Sequence, residues 1–134
     1  MAGRLREAEE QLRKVAAADP GFPGIHLERC WIALNLKDPR TALAEAELHL
    51  RQDPSNARVL MFRGAAREGL GDLEGAEREY RAAHEANPAF GGAPLRLAAL
   101  LVRACRIGEA KDVLRARLEV DPSDRLARGL LDSL

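Results

Sequence analysis

Two side chains with metal-binding chemistry lie one helical turn apart in the first third of the chain. His26 and Cys30 are spaced i, i+4, and in a helix this spacing places an imidazole and a thiol on one face. They could supply two ligands to Zn²⁺, but a closed zinc site needs four. Because no second Cys-His or carboxylate pair follows at zinc-finger spacing, the sequence favours a packed, reduced thiol at Cys30 and predicts no metal and no cofactor.

The other reactive residues are too scattered to form a catalytic site. His49 and His84 fall near predicted helix ends, where an imidazole can meet the last carbonyl groups. Gly91-Gly92 lacks the preceding strand and the following Lys-Ser or Lys-Thr of a phosphate-binding loop. The only serines, none of them at a plausible nucleophile elbow, are Ser55, Ser123 and Ser133. We therefore expect a protein that is not an enzyme.

The charge balance gives no reason to expect a nucleic acid or a membrane as partner. Lys and Arg number 21, as do Asp and Glu, so no overall positive field would attract a polyanion. The apolar stretch 97–102 has six residues, against roughly 20 for a membrane-spanning helix. No signal peptide is recognisable, and Cys30 and Cys105 are far apart, as in reduced proteins. These features predict a cytoplasmic location.

The sequence contains an internal repeat. Prolines recur at intervals of 34 residues, each preceded by Asp or Asn, at Pro20, Pro54, Pro88 and Pro122. Twelve residues before each proline stands an alanine, at Ala8, Ala42, Ala76 and Ala110. A period of this length is typical of solenoid proteins, in which each repeat is one supersecondary unit.

Each period contains the patterns of two helices. Large apolar residues lie three before and four after the alanines, as in Leu73, Ala76 and Tyr80, which is helical spacing on one face. A second shared position holds the small residues Cys30, Gly64 and Ala98, where two helices could approach closely. Hydrophobic residues make up 46% of the chain but aromatics only 4%, and the abundant Leu and Ala favour helix. We therefore predict an all-α fold, with Ala76 at a tight helix crossing.

The segment 71–88, with Gly71-Asp72-Leu73 at its start and Asn87-Pro88 at its end, resembles the second half of a tetratricopeptide repeat. The resemblance implies a right-handed superhelical solenoid of antiparallel helix pairs. On this frame the chain divides into a leading half repeat, three complete repeats and a partial capping helix, at 3–22, 23–56, 57–90, 91–124 and 125–134. Such a division suggests a segment of a longer protein, of a bacterial type rich in Ala, Leu and Arg.

The sequence departs from the family pattern at several positions of the first helices. The usual Leu at the seventh position is replaced by Arg29 and Arg63, and Ala46 is small where a large residue is usual. Pro39 stands where the other repeats carry Leu or Ile, and we expect it to begin its helix, a position that tolerates proline.

In this family the first helices line a concave groove, so the resemblance implies that the chain binds a peptide or helical segment of another protein there. Trp31 and Leu27 would form an apolar pair able to contact a ligand, although an apolar stripe at helical spacing also suits a core. Transferring the family's groove positions selects Leu27, Trp31, Asn35, Arg58, Met61, Ala65, Glu68, Leu95, Ala99, Val102 and Arg103.

Charges are distributed unequally between the two kinds of helix. Residues 57–70 and 93–106 together hold six arginines and one acid, whereas residues 72–86 hold five acids and two arginines. Basic groove helices favour a partner that is apolar with acidic residues nearby. Some relatives grip a C-terminal carboxylate with Lys and Asn at the fifth and ninth positions; this chain has Leu27 and Trp31, then Met61 and Ala65, so that clamp is absent.

Two other functions fit the same pattern. The chain could be an accessory region that positions the catalytic domain of a larger enzyme. It could also be a self-association module, forming a homodimer through the incomplete edges of the solenoid. The leading hypothesis remains a scaffold for protein–protein interaction.

Overall fold

The fold is entirely helical over the described part of the chain. The computed structural model describes residues 2–19, 21 and 24–134, and these form eight helices and no strand. The helices are α1 (Ala2–Ala18), α2 (Ile25–Asn35), α3 (Pro39–Gln52), α4 (Ala57–Gly69), α5 (Leu73–Ala86), α6 (Gly92–Arg103), α7 (Ile107–Val120) and α8 (Arg125–Asp132). The predicted all-α solenoid is confirmed.

The helices form two layers. Each helix packs against the next along the chain, and α2, α4 and α6 also contact one another, which makes them the inner layer; α3, α5 and α7 form the outer layer. The pairs α2–α3, α4–α5 and α6–α7 fall inside the three predicted repeats, whose bounds remain a prediction. Of the residues that framed them, Pro20, Phe22 and Pro23 lie outside the described residues.

Short polar side chains cap the first two outer helices, α3 and α5. The Asp38 carboxylate accepts a hydrogen bond from Thr41 N–H at 3.2 Å, and the Asp72 carboxylate accepts one from Gly75 N–H at 2.9 Å. Such caps satisfy amide groups that have no partner within the helix. Pro39 is the first residue of α3, as predicted, because its missing N–H is not needed there.

The inner helices all end in a left-handed residue. Lys37, Gly71 and Cys105, which share one position of the 34-residue repeat, have φ angles of 60°, 84° and 60°. In each case the following amide donates back to the last turn, for example Arg106 N–H to Leu101 C=O at 2.8 Å. This is the Schellman ending, which suits glycine; Lys37 and Cys105 adopt it with a Cβ.

Replacing Cys105 by glycine is expected to raise the free energy of unfolding by up to about 1 kcal/mol. A side chain in the left-handed region costs about 1–2 kcal/mol, and this exceeds the roughly 0.5–1 kcal/mol by which glycine favours the unfolded chain. Urea denaturation measures the difference. Ala104→Gly is the control, because Ala104 has φ −84° and should lose stability; a Cys105→Gly protein less stable than the parent would contradict the expectation.

Small residues allow the paired helices to approach closely. A Cβ at Gly64 would lie 2.6 Å from Cε1 of Tyr80, so the ring of this fully buried tyrosine occupies the space that a side chain would need. Cys30 and Ala98, at the same repeat position, are also fully buried. Ala76 is 0% exposed, in agreement with the crossing predicted for it. The core is therefore continuous from α2 to α8.

Candidate functional site

The inner layer encloses an open cavity of about 620 Å³, which we call the concave groove. It is lined by Trp31, Leu34 and Asn35 of α2, by Phe62, Ala65, Glu68 and Gly69 of α4, by Arg96 and Arg103 of α6, by Lys37 of the turn after α2 and by Pro39 at the start of α3. A size of this order matches a site for a side chain or a short peptide segment.

Trp31 stands between the concave groove and a second hollow. This side hollow has a volume of about 250 Å³ and is lined by Leu27, Glu28, Trp31, Arg58 and Phe62. The Trp31 residue is 45% exposed, whereas Phe62 below it is only 7% exposed. An exposed indole over a buried phenyl ring provides an apolar contact surface, and tryptophan is enriched among residues that dominate binding energy.

Glu68 is held in place by two neighbours. Its carboxylate accepts hydrogen bonds from the Tyr80 hydroxyl, at 2.7 Å, and from the Arg103 guanidinium. Burial, followed by the hydrogen bond to Glu68, raises the pKa of Tyr80, so the phenol stays a donor. Arg103 and Glu68 thus neutralise each other within the groove.

Three other cations line the two hollows, and one of them, Arg96, lies near the Tyr80 hydroxyl, where it opposes the rise in the pKa of that group. None of the ion pairs found in the described part of the chain involves Lys37, Arg58 or Arg96. The first two turns of α2 contribute one exposed acid, Glu28, at the side hollow. Together the two hollows therefore carry a net positive charge around an apolar centre, which favours an anionic partner.

The structure brings together seven of the eleven residues proposed for the groove. Trp31, Asn35, Ala65, Glu68 and Arg103 line the concave groove, and Leu27 and Arg58 line the side hollow with Trp31. Met61 is 8% exposed and belongs to the core, where its sulfur faces Gly92. Leu95 and Val102 are half-buried against the core, and Ala99 is exposed away from both hollows.

Sequence reasoning missed the sixth position of the repeat. Glu28, Phe62 and Arg96 are spaced 34 residues apart, and all three line one of the two hollows. The missed signal was this shared spacing, combined with an aromatic side chain next to Met61. Leu34 and Lys37, at the end of α2, were missed as well.

The predicted basic character of the inner helices is largely neutralised by the outer layer. Arg63 contacts the Glu79 carboxylate at 3.0 Å, and Arg67 lies 3.4 Å from both Glu79 and Asp72. The Arg106 guanidinium pairs with Glu77 and with Glu109, and these contacts, together with Arg81, hold the pKa of the Glu77 carboxyl below its ordinary value. These three arginines face away from the groove because acids of α5 and its flanks attract them.

The seventh-position arginines have a structural role. Arg29 contacts Glu45 at 2.9 Å, and this pair repeats as Arg63 and Glu79 one period later. Both glutamates are buried. The departure from leucine at this position is thus matched by an acid on the paired helix, and each half-buried arginine provides the countercharge that a buried glutamate requires.

His26 and Cys30 do not act together. The His26 imidazole lies 2.7 Å from the Glu45 carboxylate, whereas the Cys30 thiol donates to Ala42 C=O at 3.3 Å. Burial, with the nearby Glu45 charge, raises the pKa of Cys30 to about 12, so the sulfur remains a thiol. Within residues 2–19, 21 and 24–134, no group of three or more His, Cys, Asp and Glu is arranged to hold a metal ion.

A helix must be both long and apolar to cross a bilayer. Among those described, none combines the length and the apolar character needed to span a membrane.

Several solved structures of other proteins have the same fold. MamA from Desulfovibrio magneticus RS-1, from residue 41 to its end, has a TM-score of 0.82 and 21% identity, over 92% of this chain and 70% of that one. YrrB, a TPR protein with an unusual peptide-binding site, has a TM-score of 0.82 and 17% identity, over 98% and 68%. The first TPR of Spaghetti (RPAP3), bound to the HSP90 peptide SRMEEVD, has a TM-score of 0.73 and 21% identity, over 81% and 89%.

At these identities the likeness concerns the fold. No protein of curated function matches the sequence significantly. A family model described as the tetratricopeptide repeat matches residues 1–66 and 69–134, which is almost the entire sequence. The chain therefore belongs to the tetratricopeptide repeat family.

Proposed function

We propose that this chain is a scaffold for protein–protein interaction, and that its concave groove binds a peptide or helical segment of another protein. The observation that carries the proposal is Trp31, a tryptophan residue 45% exposed on the wall between two hollows. Leaving a large aromatic surface in water is unfavourable by about 25 cal/mol per Å², so a ligand that covers the indole gains that free energy.

The chemistry of the groove specifies the partner further. Phe62 and Leu34 offer apolar surface beside Trp31, while Lys37, Arg58 and Arg96 supply cations around it. A segment with one or two large apolar side chains flanked by Asp or Glu is complementary to this pattern. Two of the structural relatives are described with peptides or a peptide-binding site, which supports the same use of the fold here.

The mode of recognition differs from a terminal carboxylate clamp. The fifth and ninth positions hold Leu27 and Trp31 in the first complete repeat, Met61 and Ala65 in the second. None of these side chains carries a positive charge, and only the Trp31 indole N–H can donate a hydrogen bond to a carboxylate. We expect the partner to be recognised by internal side chains, so blocking its C-terminus as an amide should leave the affinity unchanged.

Substituting Trp31 by alanine is expected to weaken peptide binding by at least about 30-fold, since a buried interface tryptophan is commonly worth 2 kcal/mol or more. Peptides selected from a random display library against the wild-type chain provide the probes. Because Trp31 is the only tryptophan, its fluorescence reports occupancy directly. The selected peptides should combine apolar residues with Asp or Glu.

Leu73→Ala is the matched control, because Leu73 is 41% exposed but begins an outer helix. It should bind the selected peptides normally. The free energy of unfolding of Trp31→Ala should lie within about 1 kcal/mol of that of the parent, as expected of a surface position. A loss of about 3–5 kcal/mol would instead identify Trp31 as a core residue, and selected peptides that bind both proteins equally would exclude the groove.

A further inference from the structure

A second cleft lies on the outer surface, between α5 and α7 and above α6. This outer cleft has a volume of about 330 Å³. Its floor consists of apolar side chains, namely Pro94, Leu97, Val113 and Ala116. It is separate from the concave groove, with which it shares no lining residue.

The cleft coincides with a change of residue type at two repeat positions. The first two complete repeats place the ion pairs Arg29–Glu45 and Arg63–Glu79 there, with contacts of 2.9 and 3.0 Å. The third repeat has Leu97 at the position of the arginines and Val113 at that of the glutamates. Leucine and valine are shorter than arginine and glutamate and carry no charge, so they leave an open apolar space in the third repeat.

The wall and the rim of the outer cleft are polar and mainly acidic. Nδ1 of His84 is buried and has no hydrogen-bond partner among the described residues. Glu85 and Asp112 lie at the rim, and both are exposed; Asp112 shares an exposed ion pair with Arg115 at 3.5 Å. The remaining rim cation, Arg81, is bound to Glu77 at 3.1 Å. The cleft thus suits an apolar side chain with a basic neighbour.

The chain itself carries a segment of that chemistry. Leu126 of α8 is 72% exposed, the highest value among the large hydrophobic residues described. Arg125 and Arg128 flank it and are exposed, and neither belongs to an ion pair found in the described part of the chain. A single leucine between two free guanidinium groups matches the apolar floor and acidic rim of the cleft.

We propose that the outer cleft receives Leu126 from a second copy of this chain, with the flanking arginines facing Glu85 and Asp112. The contact joins α8 of one copy to the outer cleft of another, and that cleft shares no lining residue with the concave groove. Burial of one leucine and pairing of exposed charges make a weak contact. Association should accordingly depend on both protein concentration and salt.

Sedimentation equilibrium of the 134-residue chain tests the proposal. The wild type should show a mass that rises with concentration, and Leu126→Ser should weaken association by about 10- to 100-fold, which corresponds to the transfer of one leucine side chain. Ala116→Arg, at an exposed position of the cleft, should have a similar effect by filling it. Leu73→Ser removes an equally apolar exposed residue elsewhere and should associate like the wild type.

Exchange of charges tests the pairing itself. Asp112→Arg and Arg128→Asp should each associate less well alone, while a mixture of the two variants should recover association. A wild-type chain that remains monomeric up to about 1 mM, or one whose association is insensitive to Leu126→Ser and Ala116→Arg, overturns the proposal. Trp31→Ala should not affect association, so this result is independent of the concave groove.

Discussion

Replacing Arg117 by methionine is expected to lower the free energy of unfolding by about 3–5 kcal/mol, the loss found when one partner of a buried ion pair is removed. Arg117 is 7% exposed. Its Nε donates to Asp124 at 2.8 Å, and its Nη atoms donate to Asp121 at 3.2 Å and to Ala89 C=O at 3.3 Å. One side chain therefore joins the end of α7, the turn before α6 and the start of α8.

The residues around Arg117 are packed too closely for another group to replace its guanidinium. A Cβ at Gly91 would lie 2.5 Å from the guanidinium, which shows how closely the backbone of the preceding turn surrounds it. Asp124 is also the cap of α8, since it accepts a hydrogen bond from Ala127 N–H at 3.0 Å. Methionine fills similar space but leaves Asp124 buried without its cation, so the junction between the third repeat and α8 should loosen first.

Urea denaturation of Arg117→Met and Arg115→Met gives the comparison. Arg115 lies on the same helix, but its pair with Asp112 is exposed at 3.5 Å, and its loss should change stability by less than about 1 kcal/mol. Equal effects of the two substitutions would refute the junction role of Arg117.

The effect of Arg117 should also depend on pH. Hydrogen bonds from Ala127 N–H and then from Arg117 hold the pKa of Asp124 below its ordinary value. A carboxyl of this kind contributes stability above its unfolded-state pKa, and the contribution is lost as the pH falls through the lowered, folded-state pKa. The difference in the free energy of unfolding between the wild type and Arg117→Met should therefore become smaller as the solution is acidified.

Replacing Arg63 by leucine should lower the free energy of unfolding by about 3 kcal/mol, whereas the double variant Arg63→Leu with Glu79→Val should recover most of that loss. In the single variant the Glu79 residue, 9% exposed, keeps only Arg67 at 3.4 Å. In the double variant both charges are gone, and well-packed apolar residues often replace a buried ion pair without loss. The third repeat already carries this combination, as Leu97 and Val113, but there it leaves the outer cleft open, so the recovery in the second repeat should be incomplete.

The geometry of the pair supports that expectation. Arg63 Nε lies 3.0 Å from Glu79 Oε2, but neither atom has a hydrogen bond of good geometry, so the pair does not fully offset its desolvation. A double-mutant cycle followed by urea denaturation measures the coupling, which should reach about 1–3 kcal/mol. Additive effects of the two substitutions would show that the residues act independently.

The repeat architecture could be predicted because its determinants are local. The prolines, spaced by 34 residues, mark where helices end, and the alanines, with the same spacing, mark where two helices cross. Helical periodicity and turn chemistry act over a few residues, so Pro39 at the start of α3 and the buried Ala76 followed from the sequence. The family frame then selected five residues that line the concave groove and two that line the side hollow, including Trp31, whose exposure the sequence left open.

The direction of individual side chains was decided by tertiary packing. Met61 and Phe62 are neighbours on α4 and both pack in the core, yet only Phe62 also lines the two hollows. Adjacent residues point about 100° apart around a helix, so the rotation of α4 against its neighbours selects the one that faces the groove.

Tertiary packing also decides which of the charged side chains are paired. The number of arginines on the inner helices can be read from the sequence, but the acids on the paired helices decide which of them form ion pairs. Arg63 turns to Glu79 and Arg106 to Glu77, whereas Arg96 lines the groove. The outer cleft likewise depends on three helices from two repeats. Contacts between residues far apart in the chain, which no local pattern encodes, therefore created the groove and the outer cleft on a fold that local patterns had already specified.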